Sequence, residues 1–277
     1  MRYLLILLLP LLAACASVER LALPAPETLP GQTLTSYAPL PGQRVDHSDW
    51  TAFLSRYVAP DTQGVNRLAY GQVTQADRAR LDGYLTDLQA VDPRQLTRDQ
   101  QLAYWINLYN AVTVDVVLDN YPVASIRDIK DGPLSIGPWN RPLVEVAEQT
   151  LTLNDIEHRI IRPTYDEPRI HYALNCAAVG CPNLMSRAWQ AETLEQDFAA
   201  AERAYVNDPR GVRFNDHGRP VLSKIYIWFR EDFGPNEQAV LAYIRTVADP
   251  DLRARLQQTQ RVRAYDYDWR LNDAAGS

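Results

Sequence analysis

The chain has 277 residues, of which 46% are hydrophobic and 22% charged, and its formal net charge is −6. This is an ordinary globular composition. A mildly acidic chain lacks the basic footprint that nucleic-acid binding requires, so no nucleic-acid partner is expected.

The first residues read as an export signal. Arg2 supplies a positive charge, Tyr3 to Leu12 are nearly all apolar, and the small residues Ala13 and Ala14 precede Cys15. That is a charged region, an apolar region and a cleavage site. The apolar run is about half of the roughly 20 residues needed to cross a bilayer. Leu12-Ala13-Ala14-Cys15 resembles the lipobox of bacterial lipoproteins. The resemblance implies that residues 1–14 are removed and that Cys15 becomes the lipidated, palmitate-bearing first residue. Ala16, where that family's sorting pattern would place Asp, implies the outer membrane facing the periplasm. The acylated Cys15 would then partner the lipid bilayer. Residues 15–45 contain Pro24, Pro26, Pro30, Pro39 and Pro41, and read as a semi-rigid tether.

A single globular domain is expected over 46–272, with a short tail at 273–277. Ser48 reads as an N-cap, followed at helical spacing by Trp50, Phe53, Leu54, Tyr57 and Val58. A second amphipathic helix is expected at about 75–90. A third is expected at about 98–120, ended by Tyr121-Pro122. Leu143 to Leu153 suggest a small hairpin. Asn154 or Asp155 then caps a short helix carrying Ile156, Ile160 and Ile161. Arg169 to Asn175 reads as a buried strand, followed by the turn-rich CAAVGCPN. Thr193 and Gln196 form the pattern of a capping box. Strands are expected at 211–215, 220–229 and about 261–270, and helices at 236–247 and 249–258. Strands and helices segregate, which argues α+β.

Reactive side chains concentrate between 154 and 183: Glu157, His158, His171, Asn175, Cys176 and Cys181. A thiol becomes a nucleophile when an imidazole takes its proton, and a carboxylate orients that imidazole. On an unbroken strand His171 and Cys176 would lie about 16 Å apart on opposite faces, so they meet only if the chain bends. Either sulfur can then be the nucleophile. Loop N–H groups between 176 and 181 are candidates to stabilise an oxyanion. Two other arrangements fit the same residues. Cys176 and Cys181 can pair as a disulfide in an oxidising periplasm. His171, both cysteines and Glu157 or His158 are also zinc-ligand types, although the spacing matches no usual Cys-x2-Cys framework, and no metal or cofactor is assigned.

His158 reads as a helix-surface residue, and His47 and His217 as solvated. Asn107 and Asn110 share one side of the third helix, where they bond a neighbouring loop or line a pocket with Asn175. Trp139, Trp228, Phe229, Phe233 and Trp269 read as core, and the acids of Tyr265-Asp266-Tyr267-Asp268 as solvent-facing.

The stretches AYWINLYNAVTV (103–114), YPVASIRDI (121–129), LTLNDIEHRIIRP (151–163), RIHYALNCAAVGCPNL (169–184) and YDYDWRLN (265–272) resemble the family catalogued as domain of unknown function number 547. The resemblance implies a papain- or transglutaminase-like α+β core behind an N-terminal helical portion. It also implies a Glu-His-Cys arrangement on Glu157, His171 and Cys176, with the family's second cysteine at Cys181. The expected activity is an envelope-anchored thiol hydrolase or acyltransferase acting on an amide of a peptide or peptidoglycan-derived substrate. The alternative is a non-catalytic envelope binding or scaffold lipoprotein stapled by a Cys176–Cys181 disulfide.

Overall fold

The structure is a computed structural model and describes residues 34–132 and 135–276. The export signal, Cys15 and the first part of the tether lie outside the described residues. The described residues form helices and small sheets, an α+β arrangement, in two compact units. One unit holds residues 34–202 with 268–276, and the other holds 203–267.

The larger unit is built on helices. α1 (Ser48–Tyr57) buries Trp50, Phe53, Leu54 and Tyr57, the i, i+3, i+4, i+7 set of one face. His47 occupies the cap position, and the Asp46 carboxylate accepts from the Ser48 N–H at 2.8 Å, so Ser48 starts the helix instead of capping it. A short hairpin follows, β1 (Val58–Pro60) with β2 (Asn66–Leu68). α2 (Gln75–Ala90) is capped by Thr74 and buries Leu81, Tyr84, Leu85 and Leu88. α3 (Arg98–Asn120) opens with a Thr97/Gln100 capping box and gives way to extended backbone at Tyr121, before Pro122. Every residue from Gln101 to Val114 is buried. A helix covered on all sides is a central one.

The described end of the tether does not stand away from the domain. Leu34 is buried, and the N–H groups of Ala38 and Leu40 donate to the carbonyls of Arg94 and Gln95.

The middle of the chain holds the hairpin β3 (Val144–Val146) and β4 (Gln149–Leu151). Its two turn residues, Ala147 and Glu148, both have positive φ, as a two-residue turn matched to strand twist requires. Thr152 and Asp155 then exchange side-chain and backbone hydrogen bonds in a capping box, so Thr152 is the cap instead of Asn154 or Asp155. A π-helical stretch, Asp155–Ile161, runs into α4 (Arg162–Tyr165).

Residues 169–175 are not a strand. Pro168–Tyr172 is a 3-10 helix. Glu167 caps it by accepting from the Arg169 N–H at 3.0 Å, and Pro168 supplies the helical φ of a first turn. The capping-box pattern at Thr193 is not used either. Thr193 donates to Asp197 at 2.7 Å, just ahead of α5 (Leu194–Val206).

The smaller unit contains a three-stranded sheet. β5 (Val212–Phe214) pairs antiparallel with β6 (Pro220–Ser223), which pairs parallel with β7 (Ala264–Asp266). The expected long strand at 220–229 stops at Ser223. The Ser223 hydroxyl accepts from the Ile225 N–H, and Ile225–Trp228 turns into a helix, α6. α7 (Arg230–Phe233), α8 (Glu237–Val247) and α9 (Pro250–Gln257) follow. Phe233 packs on Tyr226 and Tyr243, and Trp228 packs on Tyr267. Among the described residues no helix is long and apolar enough to cross a membrane.

Candidate thiol site

The site is assembled on α3 by two side-chain amides. Asn110 donates to the Ala173 carbonyl at 2.9 Å and accepts from the Asn175 N–H at 2.8 Å. Three residues earlier on the same side, Asn107 donates to the Trp189 carbonyl at 2.8 Å and accepts from the Trp189 N–H at 3.0 Å. Each amide satisfies one backbone donor and one backbone acceptor, so the chain before and after the cysteine loop is sewn to a buried helix. Their polar groups serve loop backbone.

Asn175 then organises the loop from within. Its Nδ2 donates to the Pro182 carbonyl at 2.8 Å, and its Oδ1 accepts from the Ala177 N–H at 2.9 Å. Ala177 has φ of 57°, a conformation that costs a non-glycine residue about 1 kcal/mol. The C-terminal segment holds the loop's other side. The Val179 and Gly180 N–H groups donate to the carbonyls of Arg270 and Asp268, both at 2.8 Å, and Asn272 N–H donates to Ala177.

Cys176 and Cys181 are joined by a disulfide, with Cα atoms 6.4 Å apart. The Cys176 N–H also donates to the Cys181 sulfur at 3.0 Å. The two cysteine residues differ in exposure. Cys181 is 3% exposed, whereas Cys176 is the one residue of the run 170–182 that is not buried. The N–H groups of Ala177, Val179, Gly180 and Cys181 are bonded to neighbouring protein oxygens. The oxyanion expectation therefore does not rest on these four groups, and the Cys176 N–H faces the partner sulfur.

The 3-10 turn shortens the path that an unbroken strand would set between His171 and Cys176. Leu174 N–H donates to the Ile170 carbonyl, so the chain doubles back between His171 and Cys176. A 3-10 helix also rises only about 2 Å per residue. His171 Nδ1 lies 3.8 Å from Glu157 Oε1, with both residues buried.

The π-helical stretch explains how Glu157 gets there. The Arg162 N–H bonds the Glu157 carbonyl, an i→i+5 link. Such a turn is wider than an α-turn and rotates less per residue. Adjacent Glu157 and His158 are consequently both buried, which α-helical spacing would disfavour. The surface reading of His158 is thus corrected. Its Nδ1 faces Arg162 Nη1 at 3.2 Å. A guanidinium only donates, so that nitrogen accepts and carries no proton.

The remaining candidates lie elsewhere. His217 is exposed in its turn. His47 is buried instead of solvated, with Nδ1 2.7 Å from the Tyr84 hydroxyl. Asp266 pairs with Arg213 at 2.7 Å, and Asp268 with Arg270. Trp228, Phe229 and Phe233 are buried; Trp139 and Trp269 are partly buried and meet edge to face. A separate cavity of about 190 Å³ is lined by Arg78, Asp115, Val112 and Leu143 among others and contains none of the thiol-site residues. Burial there pushes the Asp115 carboxyl up to about 6, against the opposing pull of Arg78. Among the described residues no group of three or more His, Cys, Asp or Glu side chains is arranged to hold a metal ion.

Residues 93–206 match the family model described as "Protein of unknown function, DUF547". The matched stretch contains Asn107, Asn110, Glu157, His171, Asn175 and both body cysteines, but not YDYDWRLN. No curated protein and no solved structure matches the chain.

Proposed function

We propose that this is an envelope-anchored thiol hydrolase or acyltransferase that acts on an amide bond once the Cys176–Cys181 disulfide is reduced. One observation carries the reading: a buried carboxylate, Glu157, stands 3.8 Å from a buried imidazole, His171, five residues before Cys176, the cysteine of the loop that is not fully buried. His171 takes the Cys176 proton, and Glu157 stabilises the imidazolium that forms. The Cys176 thiolate attacks the amide carbon, and the amine leaves with the proton from His171. The resulting thioester passes its acyl group to water or to a second amine.

An anchored periplasmic location makes peptide or peptidoglycan stem amides the natural substrate class. The proposal includes a papain- or transglutaminase-like core, for which the support is the buried central helix under the thiol loop. It also includes acylation at Cys15.

The test is alkylation of folded, reduced protein at neutral pH, read by peptide mapping. Cys176 is expected to react first, and His171→Ala to slow it by about tenfold or more. Labelling that is indifferent to His171 and Glu157 would overturn the reading. Release of an amine from stem peptides, lost in Cys176→Ser, then identifies the substrate.

The disulfide itself favours a second reading, a non-catalytic binding or scaffold lipoprotein. Persistence of the 176–181 link in folded protein under a reductant strong enough for other envelope thiols would support it.

A further inference from the structure

We infer that Cys176–Cys181 is itself a reaction centre for thiol–disulfide exchange, with Cys176 the attacked sulfur, Cys181 the leaving sulfur, and a dithiol as the substrate class. This goes beyond the hydrolase reading and stands even if no amide is ever cleaved, because it needs only the two sulfurs and their surroundings.

Three observations converge. First, the two residues differ in exposure: Cys176 is partly exposed and Cys181 is 3% exposed, so the Cys176 side is the one open to an incoming thiolate. Second, the leaving sulfur is prepared. The Cys176 N–H, 3.0 Å from Cys181 Sγ, stabilises the negative charge that Cys181 acquires on departure, and a better-stabilised leaving thiolate departs faster. Third, the loop is held by bonds other than the S–S bond. Asn110 holds Asn175, Asn175 holds Ala177 and Pro182, and Val179 and Gly180 are bonded to the 268–270 segment. The loop therefore has the connections to keep its form in both redox states, as a reversible couple requires and a mere staple does not.

The chemistry balances as follows. An external thiolate forms a bond to Cys176 Sγ, the Cys176–Cys181 bond breaks, and Cys181 departs with the electron pair. The second thiolate of the same dithiol attacks its own sulfur in the mixed disulfide and releases Cys176 as thiolate. The two protons lost by the dithiol end on the two cysteines. The dithiol is oxidised by two electrons and the protein disulfide is reduced by two.

The experiment uses the full-length oxidised protein in detergent with dithiothreitol as the probe. Acid quenching and peptide mapping locate the transient adduct. It is expected on the Cys176 peptide, with both thiols then appearing together and the circular dichroism unchanged. In parallel, glutathione disulfide is presented to Cys181→Ser and Cys176→Ser. Capture at Cys176 is expected to be about tenfold or more faster than capture at Cys181. A disulfide that resists millimolar dithiothreitol while the protein stays folded would overturn the inference. So would adducts shared equally between the two cysteines, or a loss of structure that accompanies reduction. Exchange without His171-dependent alkylation would sink the hydrolase reading alone.

Discussion

His47 is buried at the start of α1, with its Nδ1 on the Tyr84 hydroxyl, and burial pushes its pKa down to about 4 against a smaller opposing pull from Asp46. The unfolded chain would protonate this imidazole near pH 6.5. Between those values the unfolded state binds more protons, so stability rises with pH. The contribution is complete above about pH 6.5 and is lost as pH falls toward 4, by up to about 3 kcal/mol. The denaturant midpoint should therefore drop less between pH 7 and pH 5 in His47→Gln than in the natural chain; equal drops would refute the assignment. Residue scale is where sequence reading was weakest. It could see that His171 and Glu157 share a short stretch with two cysteines. It could not see that His47 and His158 are buried, because a histidine's burial is decided by distant partners. Tyr84 lies 37 residues from His47, and a π-turn brings His158 inside.

Asn107 and Asn110 show how one element can hold a loop in place. Replacing Asn110 with Ala leaves the Asn175 N–H and the Ala173 C=O without their partner inside the protein. At 1–3 kcal/mol for a buried unmade bond, the expected loss is about 3 kcal/mol. Hydrogen exchange should accelerate at Asn175 to Cys181 well before it does in α1 and α2. Uniform acceleration across the larger unit would mean that Asn110 supports the core generally. Among the elements, the three N-terminal helices were legible because apolar spacing and Tyr121-Pro122 agreed with the burial pattern. The segment 169–175 was not, since its apolar run fits a buried strand equally well. The deciding signal was the Glu167-Pro168 pair, whose carboxylate and fixed φ start a 3-10 turn. The same ambiguity hid the helix at Ile225–Trp228 behind a β-branched, aromatic run. The two segments bear differently on the site: the first lies between His171 and Cys176 and replaces a strand's rise with a turn, and the second lies outside it.

At the scale of the molecule, the family match ends at residue 206, close to the boundary at 202 between the compact units. The matched stretch therefore carries the thiol site and leaves nearly all of the 203–267 unit outside it. A disulfide spanning only five positions contributes about 2 kcal/mol through loop entropy, a modest sum for a unit whose central helix is buried from Gln101 to Val114. Anchoring operates on a different energy scale. If Cys15 carries several acyl chains, each buried methylene adds about 0.8 kcal/mol, which makes release from the bilayer negligible, whereas a single chain binds only reversibly. Detergent phase separation of the protein from bacterial envelopes distinguishes these cases. The natural chain is expected in the detergent phase. Cys15→Ser, which has no thiol to acylate, should appear in the aqueous phase if exported, with its Cys176–Cys181 pair intact. Equal partition of the two would show that something other than Cys15 holds the protein to the membrane, and the lipid-anchor assignment would fall without touching the chemistry of the thiol loop.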